Sequence, residues 1–323
     1  QYYDNLMRMD DWIGKELQAL KDAGESDNTI LVFFGDHGSG MPRHKRYAGD
    51  SGMRVPLIVY VPEKLRAEFA PRDYQAGGRT QRPVGFVDLT PSMLSIAGVA
   101  APDYIQGRAV MGPLQAEDDT IESKYLFGFR DRMDERPDFS RTARDDQHLY
   151  VRNYLPHLPA GQWLDYQQKM PSTRRWYEMY QAGELNDVQS QFWQPRSGEE
   201  LYDLKADPHE TKNLAGSPEH RETLRRFRRA LVANTLKVRD LGFVHEGRLQ
   251  EITAKGEMTR RDLALDEQAF PLQEILDVAN AVGRIEAKET GELGLEKFVA
   301  ATGHADPTVR YWAAIGLLNC GRV

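Results

Sequence analysis

Residues 27–62 read DNTILVFFGDHGSGMPRHKRYAGDSGMRVPLIVYVP, and this stretch decides the predicted fold. Two apolar runs, residues 29–34 and 55–61, flank a polar segment that is rich in glycine. Apolar runs of this length without alternation are typical of strands covered on both faces, as in the parallel sheet of an α/β fold. The sequence therefore predicts two strands of that kind, with a long polar loop between them.

The polar segment opens with Asp36 and His37, directly after the first predicted strand. Ligands of open α/β sheets bind beyond the carboxyl ends of strands, so an acid and an imidazole at this place could together hold a cation. Lys45 and Arg54, further along the segment, could hold an anion. The alternative interpretation of Asp-His-Gly alone is a polar turn, because three-residue motifs often match by chance.

The longer pattern resembles the sulfatases of the alkaline phosphatase superfamily. Their usual form is a strand, D-N/H-G, a loop that carries Lys, E-G-G-x-R-x-P and a second strand. Here Asp50-Ser51 stands where Glu-Gly is more common. A helical pattern at residues 1–23, VDLTPSMLSIAGV at 87–99 and ELYDLKADPHETKNLA at 200–215 are also similar to sulfatase segments, so the resemblance covers about residues 1–240.

The resemblance implies a fold and an activity. The implied fold is α/β, the C-terminal half of an alkaline-phosphatase-like sulfatase domain with a small sheet subdomain. The implied activity is metal-dependent hydrolysis of a sulfate ester. The implied substrate and partner is a sulfated small molecule or glycan, with a sulfated sugar as the first choice.

The resemblance also implies roles for individual residues. Asp36 and His37 would bind a divalent cation, with Ca²⁺ as the first choice and Mg²⁺ as the second, because carboxylate oxygens suit hard cations. Imidazole prefers softer metals, so His37 could contact the sulfate instead. Lys45 carries a compact positive charge suited to a sulfate oxygen, and with His37 it forms the implied catalytic pair. Arg54 either binds substrate or pairs with Asp50.

Residues 130–136, RDRMDER, form a dense mixed-charge loop. Most runs of this kind are solvated turns with internal ion pairs. The alternative interpretation places the loop at the mouth of a pocket, where Arg130 or Arg132 would bind an anionic substrate.

Sulfatases also use a formylglycine nucleophile, made from Cys or Ser in a C/S-x-P-S/A-R motif, and paired aspartates near the start of the domain. The nucleophile motif does not occur in these 323 residues, and we identify no counterpart of the family's paired aspartates. Cys320, the only cysteine, stands at the end of the last predicted helix and fits a structural thiol. Gln1 opens directly into a helical pattern, so we expect an interior fragment of a longer sulfatase. We expect the nucleophile to lie upstream and the fragment alone to be inactive.

Composition excludes several classes of protein. Hydrophobic residues make up 40% and charged residues 28%, as in soluble globular chains. A net charge of -7 gives no basic field to attract nucleic acid. No apolar run is long enough for a transmembrane helix, so no membrane partner is expected. The compartment stays open, because any signal peptide would lie upstream, and a periplasmic or secreted location is compatible with this.

The chain order predicts four segments. Residues 1–150 are assigned to the C-terminal portion of the catalytic α/β domain, 151–245 to a sulfatase C-terminal subdomain, 246–268 to a linker and 269–323 to truncated HEAT-like helical repeats. Residues 124–130 and 147–152 are predicted strands, with a candidate third near 139–143, and together they predict a small antiparallel sheet; residues 200–204 predict a further strand. A helix is predicted over 89–97, with Asp88 as its N-cap and Gly98 just after its end.

The HEAT-like assignment is based on residues 306–314, DPTVRYWAA, which predict a proline-started helix with Asp306 as N-cap. One repeat cannot bury its own apolar face, so repeats of this kind would continue and could bind a protein partner. The alternative is a plain C-terminal helical hairpin.

Two rival functions stay open at this point. The first is a phosphomonoester or phosphonate hydrolase of the same superfamily, because phosphate and sulfate are both tetrahedral oxyanions. The second is a non-catalytic interaction protein, in which the helical repeats bind a partner.

Overall fold

The computed structural model describes residues 2–116, 124–254, 256, 258–284 and 293–320. The chain divides into two compact units. The first comprises Gln1–Asp36 and Val55–Lys124, and the second comprises His37–Arg54 and Tyr125–Val323. The four predicted domain segments have different bounds from these units and stay predictions.

In the described part of the chain, the first unit holds two strands and three α-helices, and the second unit holds four strands and the remaining helices. Within the described residues the strands are β1 (Leu31–Phe34), β2 (Leu57–Tyr60), β3 (Leu126–Arg130), β4 (Ser140–Arg144), β5 (His148–Asn153) and β6 (Glu199–Asp203). The helices are α1 (Tyr2–Asp22), α2 (Asp50–Met53), α3 (Arg66–Phe69), α4 (Leu89–Ile96), α5 (Asp165–Gln168), α6 (Pro171–Gln181), α7 (Asp187–Ser190), α8 (Arg221–Val238), α9 (Glu246–Thr253), α10 (Arg260–Leu265), α11 (Leu272–Ala279), α12 (Leu293–Ala301) and α13 (Pro307–Cys320). None of the described helices has the length and apolarity of a membrane span.

The predicted helix at residues 1–23 is confirmed as α1. It ends at Asp22, and Gly24 follows with a φ of 73°, the left-handed conformation that glycine adopts without steric cost. The Gly24 N–H donates to Lys21 O and the Glu25 N–H donates to Leu20 O. These two bonds form a Schellman motif, which satisfies carbonyl groups at the helix end.

The two strands of the opening stretch are confirmed, but their predicted parallel, doubly covered arrangement is wrong. β1 and β2 pair antiparallel, with Leu31 opposite Tyr60. The side chain of Ile58 is 59% exposed. The N–H of Gly35 donates to Pro56 O, so the chain returns to the point where it left β1 and runs back beside it. A parallel partner would need a crossover to the opposite end of the strand.

Asp88 stands at the predicted N-cap position of α4, but its side chain makes no capping hydrogen bond to that helix. Asp88 lies inside a 3₁₀ turn, Phe86–Asp88, with helical backbone angles. Its carboxylate accepts hydrogen bonds from the N–H groups of Gly85 and Arg108, both at 2.9 Å. It therefore ties two segments of the first unit together. Gly98, with φ of 71°, ends α4 as predicted.

The small antiparallel sheet predicted for the second unit is confirmed. Its order is β3-β4-β5-β6, and each neighbouring pair runs antiparallel. One face packs against α8 through a buried cluster that includes Tyr150, Leu201 and Phe227. Apolar side chains of the predicted strands thus supply part of the core under the sheet.

The predicted C-terminal helices are confirmed as α11, α12 and α13, and Asp306 caps α13 by accepting from the N–H groups of Thr308 and Val309. Trp312 of α13 is buried with Phe139 in the largest apolar cluster of the second unit. The apolar face of α13 therefore packs on its own chain. Assignment of these helices to HEAT repeats stays a prediction.

The predicted linker, residues 246–268, holds the two helices α9 and α10, and Leu263 is fully buried in the same apolar cluster. The aromatic segment at 161–193 is mainly a packing segment. Trp176 stacks on Phe192 with ring centroids 4.6 Å apart, and Phe192 and Trp193 are buried.

Cys320 is exposed, so its predicted role as a structural thiol is wrong.

Candidate functional site

The polar loop of the opening stretch belongs to the second unit and is closed at its base by two glycines. The Gly38 N–H donates to Gly52 O at 2.8 Å. A Cβ atom on Gly38 would overlap the carbonyl oxygen of Ser51, and one on Gly52 would overlap the carbonyl oxygen of Tyr47. The two ends of the loop therefore approach more closely than any side chain allows.

Two left-handed arginines stand inside this loop and bracket His44 and Lys45. Arg43 has φ of 68° and Arg46 has φ of 80°, conformations that are strained for residues other than glycine. The Arg46 side chain is buried and donates to Asp134 Oδ2 at 2.6 Å and to Met133 O at 2.7 Å. These long-range contacts hold the strained backbone in place.

A side-chain contact fixes the loop from within. Ser39 Oγ and His44 Nδ1 are 2.6 Å apart, and the Lys45 N–H donates to Ser39 O at 3.1 Å. Burial, with a smaller contribution from Arg43, lowers the pKa of His44, so its imidazole is neutral near pH 7. Lys45 is half-buried. Its backbone position is thus set by contacts on both sides.

The loop ends in a buried carboxylate. Asp50 Oδ1 lies 2.5 Å from Arg144 Nε, and the Asp50 N–H donates to Glu210 Oε1 at 2.8 Å. Arg54 lies 3.8 Å from Asp50, and its side chain is 70% exposed. Arg54 therefore pairs with Asp50, which was one of the two alternatives for this residue. The other alternative, that Arg54 binds substrate, stays a prediction.

The two predicted cation ligands stand at the start of the loop. Asp36 follows β1 as the last residue of that part of the first unit, and His37 begins the second unit; both side chains are exposed. His37 Nδ1 lies 2.7 Å from Gly38 O, and a carbonyl only accepts, so Nδ1 carries the proton. In the neutral ring Nε2 then has the lone pair, the tautomer that metal-binding histidines usually adopt.

Within the described ranges, no group of three or more His, Cys, Asp and Glu side chains is arranged to hold a metal ion. The prediction concerns two ligands, Asp36 and His37, and stays a prediction. The carboxylate oxygen and the fixed tautomer fit a cation ligand pair in their chemistry.

Arg130 and Arg132 lie in different environments, although they are two residues apart. Arg130 is 5% exposed, with Nε 3.1 Å from Asp138 Oδ2 and its guanidinium 4.7 Å from the centre of the Tyr47 ring. Arg132 is half-exposed and pairs with Glu246 at 2.6 Å. Arg132 thus stands in a solvated turn and forms an ion pair there. Arg130 is buried instead, and its predicted binding of an anionic substrate stays a prediction.

A cavity of about 550 Å³ lies wholly in the second unit. Arg130 lines it, whereas Lys45, Arg54 and Arg132 are not among its lining residues in the described part of the chain. Sequence reasoning missed the other charged groups of this cavity, which are Arg43, Arg196, Glu200 and Glu210. Glu200 and Glu210 stand in the segment 200–215, which the resemblance to sulfatases did mark out.

Burial raises the pKa of both cavity carboxyls above the usual range for glutamate. Glu200 accepts hydrogen bonds from Asn153 Nδ2 at 2.9 Å and from Tyr202 Oη at 3.2 Å. The cavity is therefore polar, and its Glu200 carboxylate is held by defined partners.

Comparison with known proteins gives the family. Residues 1–99 match the family model described as Sulfatase, and this range contains the Asp-His-Gly motif and Lys45. Over these residues the chain carries the sequence pattern of the sulfatase family. The match confirms the resemblance that the sequence motifs indicated.

The sulfatase relatives extend the likeness beyond residue 99. The chain is 37% identical over 230 residues to an ulvan-active sulfatase of Formosa agariphila, covering 71% of this chain and 36% of that protein. It is 28% identical over 244 residues to the N-sulphoglucosamine sulphohydrolase of Homo sapiens, covering 70% of this chain and 45% of that protein. The chain thus spans less than half the length of these relatives.

A solved structure shares the sulfatase-like fold. The structure of BT4656 in complex with its substrate, D-glucosamine-2-N,6-O-disulfate, matches with a TM-score of 0.52 at 22% identity. The match covers 73% of this chain and 40% of that chain. At this identity the likeness concerns the fold alone, and it confirms an α/β chain with small antiparallel sheets.

Proposed function

We propose that this chain supplies the cation-binding and sulfate-binding part of a sulfuric ester hydrolase that acts on a sulfated sugar. The family match over residues 1–99 supports the proposal, because it includes Asp36, His37 and Lys45. The similarity to an ulvan-active sulfatase and to an N-sulphoglucosamine sulphohydrolase supports the same reaction class.

The observation that carries the proposal is the fixed backbone around Lys45. Left-handed Arg43 and Arg46 stand on either side of His44 and Lys45, and strained backbone of this kind clusters at functional sites. The Ser39–His44 contact restrains the same segment. A loop held in this way places an ammonium group at a defined point, which recognition of a developing oxyanion requires.

The cation would be held by the Asp36 carboxylate and by Nε2 of His37. When bound, Ca²⁺ or Mg²⁺ supplies Lewis acidity and makes a nucleophile more acidic. The hydrogen bond of His37 to Gly38 O keeps the ring oriented and its proton on Nδ1. Lys45 contributes a positive charge for a sulfate oxygen, and neutral His44 does not compete with it for that anion.

The nucleophile is proposed to lie outside these residues. The C/S-x-P-S/A-R motif does not occur in the sequence, and Cys320 stands in the exposed end of α13. We therefore expect the purified chain to release no sulfate from an aryl sulfate above the rate in buffer. Hydrolysis above that rate would contradict this part of the proposal.

Binding experiments test the rest. Calorimetric titration of the chain with inorganic sulfate and with inorganic phosphate should show sulfate binding. Tighter binding of phosphate would favour the phosphomonoester or phosphonate hydrolase alternative. If neither anion binds, the non-catalytic interaction protein is the better account.

The cation is tested separately. Titration with Ca²⁺ should show binding that Asp36→Ala abolishes. Asp27→Ala is the matched control, since Asp27 is exposed in the turn Ser26–Asn28 of the same unit. Equal Ca²⁺ affinity of both variants would remove Asp36 from the proposed cation site.

A further inference from the structure

The cavity of the second unit contains a buried arginine that the loop around Lys45 does not use. Its volume of about 550 Å³ is within the range of about 300–1,000 Å³ that is usual for ligand sites. We propose that this cavity binds an anionic sugar, with the Arg130 guanidinium pairing with the carboxylate or sulfate group of that sugar. The inference stands apart from the proposed hydrolysis, because it concerns binding without turnover.

Two arginines share one buried carboxylate at the wall of the cavity. Arg196 donates to Asp138 Oδ1 at 2.6 Å, and Arg130 Nε lies 3.1 Å from Oδ2 of the same group. The Asp138 side chain is fully buried, and that of Arg130 is 4% exposed. Arg196 thus makes a hydrogen bond to the Asp138 carboxylate, whereas Arg130 only lies close to it. A buried cation with an incomplete partner is costly unless something else compensates its charge.

The Arg130 guanidinium has unused hydrogen-bonding capacity. Nε and Asp138 Oδ2 are close, but neither atom makes a hydrogen bond, because the N–H is not aimed at the oxygen. Among the described residues, none accepts a hydrogen bond from this guanidinium, while the Tyr47 ring covers one face. Arg130 lines the cavity, so the cavity is where a partner can reach it. An arginine fork suits a carboxylate or sulfate in particular.

The rest of the wall suits a sugar ring. Aromatic side chains, which include Tyr47, Trp176 and Phe192, provide an apolar surface for the flat face of a pyranose. Gln189 adds an exposed amide group that can bond ring hydroxyls.

Calorimetry on the full chain in a Lys45→Ala background tests the proposal, since that background removes anion binding at the loop. The probes are glucuronate, glucose 6-sulfate, glucose and inorganic sulfate. We expect the two anionic sugars to bind at least about tenfold more tightly than glucose, as expected for hydrogen bonds to a charged group. The preferred anionic sugar then shows whether carboxylate or sulfate is the better group.

Arg130→Gln should reduce the affinity for the anionic sugars to that for glucose. Arg132→Gln is the matched control and should leave it unchanged, because Arg132 does not line the cavity. Unchanged binding in Arg130→Gln, or glucose binding as tight as that of glucuronate, would overturn the proposal. Inorganic sulfate binding as tightly as the anionic sugars would mean an adventitious ion only.

A second pair of variants avoids any change to the buried cluster. Val188 lines the cavity and is 49% exposed, so a charged side chain is tolerated there. Val188→Lys should tighten and Val188→Glu should weaken binding of the anionic sugars, each by about two- to fivefold at low salt. Equal affinities in the two variants would place the ligand elsewhere and contradict the proposal.

Discussion

The loop at residues 38–52 and the sheet β3–β6 both belong to the second unit, and they hold their charged groups by different means. In the loop, backbone contacts position Lys45, and no described residue forms an ion pair with its ammonium group. In the sheet, side chains hold Glu199: Arg228 donates two hydrogen bonds of 2.6 Å and Tyr150 Oη a third of 2.8 Å. A charge with several fixed partners stabilises the fold, whereas a charge fixed by its backbone stays available to a ligand.

The largest expected change in stability comes from breaking the Glu199–Arg228 ion pair of the sheet. Glu199→Gln removes the buried negative charge that pairs with the Arg228 guanidinium, and we expect the free energy of unfolding at pH 7 to fall by about 3–5 kcal/mol. Urea denaturation measures it. Glu222→Gln, on the exposed face of the same α8 that carries Arg228, is the control and should change the value by less than about 0.5 kcal/mol.

The same pair predicts a dependence on pH. Burial opposes the charge of Glu199, but hydrogen bonds from Arg228 and the charge of Arg152 outweigh it and lower the pKa of Glu199 to about 2. The ordinary value is 4.5, so the stabilisation is fully present above that pH and is lost as the pH falls towards 2. The difference in unfolding free energy between wild type and Glu199→Gln should narrow over this interval. A constant difference would contradict the assignment.

A smaller effect is expected from the base of the loop. Gly38→Ala would place a methyl group against the carbonyl of Ser51, and the backbone shift should cost about 1–3 kcal/mol. It should also weaken binding of inorganic sulfate, because Lys45 moves with the loop. Gly40→Ala is the control, since a Cβ atom there meets nothing within 4 Å. Equal sulfate affinity in the two variants would show that closure of the loop does not position Lys45.

The smallest effect is expected at the exposed end of the loop. Arg54→Ala removes an ion pair of 3.8 Å with a side chain that is 70% exposed, so the free energy of unfolding should change by at most about 0.5 kcal/mol. Thermal or urea denaturation gives this value. A loss of more than about 2 kcal/mol would mean that Arg54 holds Asp50 in place. A loss of sulfate affinity without a loss of stability would support its predicted role in substrate binding.

Local patterns predicted much of this molecule from the sequence alone. The apolar runs around Tyr150 and Leu201 predicted their strands, because burial against α8 needs those side chains. The Asp-His-Gly and Lys45 pattern predicted the family, because it lies within one short stretch. Asp306 was found as an N-cap, since its partners are the next residues of the chain.

The errors have a common physical cause, which is dependence on distant partners. The direction of β2 depends on where the chain returns to β1 after the loop. Asp88 looked like a helix cap because its real partner, the N–H of Arg108, lies 20 residues further along the chain. The burial of Arg130 depends on Asp138 and Arg196, and no spacing rule connects these residues in the sequence.

The most direct measurement is calorimetric titration of Lys45→Ala with inorganic sulfate, beside Lys64→Ala as a control in an exposed position. An ammonium group that bonds a sulfate oxygen contributes about 1.5–3 kcal/mol. We therefore expect Lys45→Ala to lose at least about tenfold in affinity, while Lys64→Ala binds sulfate as the unsubstituted chain does. Equal sulfate affinity in Lys45→Ala and the unsubstituted chain would contradict the proposal that this loop presents Lys45 to an oxyanion.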